Sequence, residues 1–196
     1  MDNLTEAAPH TRSSTPSRSR SVWRTVWPAA LGVLVAAATV YRVDDGRDVA
    51  PVVAASGLVY LAAAATGRPW MAWAAFGVTL PLITIDKFTE FSATPWILAL
   101  ALVLLIVGLA TRANRPSDGM LLQTTAMLLL GATAVVAILL DARIGGLVVA
   151  AALLAHAAWD LHHLRARRVV DRSLALFCAV LDILVACFVA IVSVTA

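Results

Sequence analysis

From Trp96 to Ala110 the chain carries no polar side chain at all, and that run decides most of what can be built around it. A strand of a membrane barrel alternates apolar and polar residues over segments of about ten. An unbroken apolar run cannot alternate, so it reads as a helix solvated by hydrocarbon. Comparable runs occupy 25–41, 49–66, 70–85, 96–111, 119–140, 147–164 and 173–194. At about 1.5 Å per residue they reach about 24–33 Å, against a hydrocarbon core of about 30 Å. The expected fold class is therefore all-α, a polytopic transmembrane bundle of seven spans over residues 22–196. Composition agrees: 61% of residues are hydrophobic and 14% charged, with a mean hydropathy of +0.86, well above the apolar share of a soluble domain.

The formal charge of +3 and an isoelectric point near 9.4 do not imply a nucleic-acid partner, because the basic residues sit in short loops between apolar runs. There they report topology, since cytoplasmic loops carry an excess of Lys and Arg. An N-terminus inside and a C-terminus outside puts Arg12, Arg18, Arg20, Arg24, Arg68, Arg112, Arg115, Arg165, Arg167, Arg168 and Arg172 in the cytoplasm. Only Arg42, Arg47, Lys87 and Arg143 of the 15 basic residues then lie outside. Residues 1–21, rich in Ser, Thr, Pro and Arg, read as a disordered basic cytoplasmic tail. A rival reading takes Ala36-Ala37-Ala38 as a signal-peptide cleavage site, which would leave six spans. The expected location is the cytoplasmic membrane.

Ionisable side chains inside a span are costly unless they face protein or water, so they mark where chemistry is to be sought. His156, Asp160 and His163 recur at i, i+4 and i+7 on the sixth span, which places them on one helix face. Asp182, on the returning seventh span, reaches the depth of His156. A carboxylate there is far less costly beside an imidazole, and such a pair can move a proton or orient a metal ligand. The plainer reading is a polar clasp that fixes two helices against each other. A metal reading is also open, because nitrogen and oxygen donors suit zinc or iron. His156 and His163 lie about 10 Å apart along the axis, so one ion is not expected to bind both.

A second cluster, Asp86, Lys87 and Glu90, closes the third span on the outer side. It offers a cation site or, more plainly, a solvated helix end. Asp141 and Arg143 read likewise, with Gly145-Gly146 as a flexible hinge. Arg165, Arg167, Arg168 and Arg172 are candidate anchors for anionic lipid headgroups, Pro81 is expected to kink the third span, and the six tryptophans suggest an interfacial belt. Cys178 and Cys187, on one helix, read as packing residues.

A seven-span chain invites comparison with the rhodopsins, but its only lysine, Lys87, excludes a retinal Schiff base on the seventh span. The membrane zinc hydrolases of the alkaline ceramidase and adiponectin-receptor superfamily carry H-x-x-x-H on their last helix, where this chain has no His. Neither activity is carried over, and no cofactor follows from the sequence. Three functions stay open: an accessory or structural subunit with a His/Asp clasp, ranked first; a small proton-coupled transporter; and an intramembrane lipid-acting enzyme, metal-dependent or not. The bilayer is the one firm partner, and a protein partner is left unidentified.

Overall fold

The helix that ends in the middle of the bundle is not the most apolar one. The computed structural model describes residues 18–112, 119–166 and 169–195. Seven helices run α1 Arg18–Val40, α2 Ala50–Thr66, α3 Met71–Phe88, α4 Thr94–Arg112, α5 Met120–Leu139, α6 Ala142–Ala166 and α7 Arg172–Thr195, with a 3-10 turn at Gly46–Val49. No strand occurs among the described residues. Helices α2 to α7 are each long and apolar enough to cross a membrane, while the apolar part of α1, Thr25–Val40, is shorter. The chain is a multi-pass helical membrane protein, as its apolar runs predict.

Every residue of α2 from Ala50 to Ala65 is buried, whereas the Leu-rich α4 exposes Leu102, Val103, Ile106 and Leu109. In lipid, apolarity does not draw helices together, because the solvent is as apolar as leucine; small residues that let backbones approach do. Helix α2 is built largely of Ala, Val, Gly and Ser, and it packs against α3, α4, α5 and α6. A Pro near its start and Gly67 in the left-handed region after it (φ 68°) define its ends, in keeping with the preferences of those residues. Hydroxyls such as Ser56, Thr133 and Ser193 bond the carbonyl four residues back, which satisfies these donors within their own helices.

Helix α7 packs on both α6 and α1. It meets α1 where Gly32 lies so near the Phe177 carbonyl that a Cβ would stand 2.8 Å from that oxygen. Phe177 in turn packs against Trp73 and Phe76 of α3, with ring centroids 5.2 and 4.8 Å away, and Trp27 of α1 stacks on Trp73 at 5.7 Å. Trp27 and Trp73 thus belong to an interhelical aromatic cluster, while Trp23, Trp70 and Trp96 are exposed as belt residues would be.

Two expectations need correction. Residues 18–21 begin α1 instead of ending a tail, and residues 1–17 lie outside the described residues. Gly145-Gly146 is not a hinge: α6 already starts at Ala142, with Asp141 accepting from the Ile144 amide at 3.0 Å as its cap. Both glycines are buried at a close crossing, where a Cβ on Gly146 would collide with Ser193 and one on Gly145 with the Ala137 carbonyl and Arg47. Pro81 lies within an unbroken α3.

The loop before α2 is held by Arg47. Its guanidinium pairs with Asp45 and donates to the Leu140 carbonyl at 2.8 Å, at the end of α5. The hydrogen bond from Arg47 holds the Asp45 carboxyl below its ordinary value of 3.8, against the opposing effect of partial burial.

Candidate functional site

The i, i+4 spacing on α6 stacks His156 and Asp160 on the face turned toward α7, and Asp182 enters from α7 at the same level. His156 Nδ1 lies 2.6 Å from Asp182 Oδ2 and 3.4 Å from Asp160 Oδ2. Nδ1–H donates to Asp182, because a carboxylate needs a donor. Asp160 and Asp182 are fully buried and His156 is 3% exposed, so these charges meet away from any bulk solvent. Tyr60, at the centre of α2, donates its hydroxyl to Asp160 Oδ1 at 2.7 Å. Its ring lies edge-on to both His156 and His163, with centroids 5.4 and 4.9 Å apart.

His163 is buried too, but it does not join the carboxylates. Its Nδ1 donates to the Trp159 carbonyl at 3.0 Å, which leaves Nε2 to accept from the Gln123 amide of α5 at 3.3 Å. Two neighbouring polar groups therefore exist, divided by the Tyr60 ring: His156–Asp160–Asp182 and His163–Gln123. Tyr60, Gln123 and Trp159 are site residues that reading the ionisable groups alone overlooks. The signal for Tyr60 is its place, a phenol in the middle of an otherwise apolar run, where the hydroxyl requires a partner.

Donors and acceptors do not balance here. Asp160 Oδ2, Asp182 Oδ1, His156 Nε2, Gln123 Oε1 and Trp159 Nε1 are buried without a hydrogen-bond partner. Unpartnered buried polar atoms are rare enough in folded proteins that each asks for an explanation.

Two cavities adjoin the cluster. One, of about 440 Å³, lies between α5 and α6; its floor includes Tyr60, Gln123, His156 and Trp159, and its walls are Leu129, Leu130, Val148, Ala151, Ala152 and Ala155. Leu129, Ala151 and Ala155 are exposed, so the cavity opens sideways from the bundle. The other, of about 530 Å³, lies at the helix ends near Gly67 and Gly119 and takes in His162, His163 and Gln123. Gln123 lines both.

No family model, curated protein or solved structure matches the chain. The site is read from its own chemistry.

The other sequence candidates lie apart from this cluster. Asp86 accepts from the Ala93 amide at 3.0 Å at the start of α4, Lys87 donates to the Thr39 carbonyl of α1 at 2.6 Å, and Glu90 is exposed. Asp86 and Lys87 thus bond backbone groups at the start of α4 and near the end of α1. Arg165 and Arg172 are exposed at the ends of α6 and α7, while Arg115, Arg167 and Arg168 lie outside the described residues.

Proposed function

We propose that the chain is an intramembrane enzyme acting on a lipid-soluble, long-chain molecule that enters sideways between α5 and α6. The observation that carries this reading is the cavity whose apolar walls open to the bilayer side and whose floor is His156, Tyr60, Gln123 and Trp159. A volume of about 440 Å³ falls within the range of ligand sites. From Val148 to Trp159 the groove follows α6 for about 16 Å, a length suited to a hydrocarbon chain. The small side chains of Ala151, Ala152 and Ala155 make the room. What lies across an opening in the bilayer is lipid, so the occupant is a chain-bearing amphiphile whose functional group meets the polar floor.

The orientation proposed is the one the basic loops indicate, with His163 and Gln123 toward the cytoplasmic leaflet. Arg165 and Arg172 at that level would favour anionic headgroups.

The accessory reading also has an observation in its favour: the His156–Asp182 bond joins α6 to α7, a heavily packed helix pair. A clasp alone, however, gives no reason for the unpartnered acceptors or the lateral cavity. Transport through the same residues would need a polar passage to the far end. The gap leading that way, about 40 Å³, is lined mainly by apolar groups such as Val52, Val59, Phe76 and Leu181.

The test is photolabelling in lipid nanodiscs with a phospholipid carrying a diazirine in its acyl chain. Label is expected on α5 and α6 peptides that face the groove. Ala155→Trp, which fills the mouth, should abolish it, and Leu184→Trp on α7 should leave it unchanged. Equal labelling in wild type and Ala155→Trp would sink the lateral-entry reading.

A further inference from the structure

We infer that His156, Asp160 and Asp182 form a binding site for one divalent transition-metal ion. One donor atom from each residue can be chosen so that all three lie within 4.8 Å of one another, and all three residues are buried. With the imidazole neutral, as a metal ligand must be, the two carboxylates leave the cluster with two negative charges, which one divalent cation balances. In the low-dielectric interior such a pair of charges requires a counter-charge.

The unpartnered atoms point the same way. Asp160 Oδ2 and Asp182 Oδ1 are buried acceptors without a partner, and among the described residues only the Tyr60 hydroxyl and the His156 ring hydrogen are donated to the two carboxylates. Donors are short where a cation would serve. The Tyr60 hydroxyl is an outer-shell contact of the kind that orients metal ligands: by holding Asp160 Oδ1 it leaves Oδ2 on the side of His156.

The dimensions are suitable. Ligands about 2.0 Å from a tetrahedral ion stand about 3.3 Å apart. The His156 Nδ1–Asp160 separation is already 3.4 Å, and the His156 Nδ1–Asp182 pair, at 2.6 Å, would open by about 0.7 Å to reach the same spacing as the ion replaces the Nδ1 hydrogen, with the ring keeping its one hydrogen on Nε2. One imidazole and two carboxylates suit zinc or ferrous iron better than a soft ion. Three protein ligands leave a position free, as in catalytic sites. That position would face a bound chain's functional group only if the lateral-entry reading holds; the existence of the site does not depend on it.

Full-length protein, purified in detergent and stripped with a chelator, is titrated with Zn²⁺, and with Co²⁺ as a spectroscopic probe. Near-stoichiometric binding is expected, with a d–d absorption band for cobalt and a rise in melting temperature, because a ligand that binds only the folded state stabilises it. Asp160→Asn and Asp182→Asn should lose the band and the stabilisation. Tyr60→Phe should keep the ion with affinity reduced about 10–100-fold, the usual loss when an outer-shell partner is removed. His162→Ala, on an exposed neighbour, should change nothing. Should the Asp variants fail to fold, the stripped wild type still decides: no saturable binding and no stabilisation overturns the site. Binding that persists undiminished in both Asp variants, or that disappears in His162→Ala, overturns it as well. Loss of metal with groove labelling still sensitive to Ala155→Trp rejects the metal site alone, and the reverse pattern rejects only lateral entry.

Discussion

At the scale of single residues, what was legible was the charge and what was hidden was its partner. His156, Asp160 and Asp182 stand out because an ionisable group in a long apolar run is conspicuous on its own. Tyr60 and Gln123 do not, since their partners lie 100 and 40 residues away in the chain and no local pattern links them. His163 shares a helical face with His156 yet bonds a different helix: it lies seven residues, about two turns, from His156, and its ring is taken up by the Trp159 carbonyl and by Gln123 of α5. The Tyr60 hydroxyl is the donor to Asp160 Oδ1, so Tyr60→Phe leaves a buried acceptor bare. That costs about 1–3 kcal/mol and should appear as a lower melting temperature in detergent for the metal-free protein. An unchanged melting temperature would show that the bond contributes nothing to stability.

At the scale of elements, the seven apolar runs were readable, since hydrocarbon requires backbone groups to bond within the segment, although α1 and α6 begin seven and five residues before the runs that announce them. Their packing was not, because the usual guide, the more apolar face turned inward, has no force in lipid. Helix α4 shows this by exposing leucine, and α2 by burying alanine. The clue available in sequence was residue size. The same principle converts Gly145-Gly146 from an expected hinge into a crossing point, where Gly146 faces Ser193. Gly146→Ala should therefore destabilise by about 1–3 kcal/mol through overpacking. Adding Ser193→Ala, which removes the oxygen in the way, should restore part of the loss. Denaturation of the two single variants and the double variant forms a cycle; strict additivity would mean that the two positions do not press on each other.

At the scale of the whole molecule, the distribution of arginine proposes a direction across the membrane that helix geometry alone does not supply. In a background with Cys178 and Cys187 replaced by alanine, Glu90→Cys is expected to react with an impermeant maleimide applied to intact cells. Arg165→Cys should react only after permeabilisation, and the opposite pattern would invert the orientation. The enclosure of α2 has a consequence for how such a molecule comes into being. Synthesised second, α2 waits in lipid for neighbours made much later, and its alanine and valine surface is at ease there. One group is not: the phenol of Tyr60 has no mate until Asp160 emerges. That bond joins an early part of the chain to a late one, so the polar centre of the bundle cannot close until the sixth helix has been made.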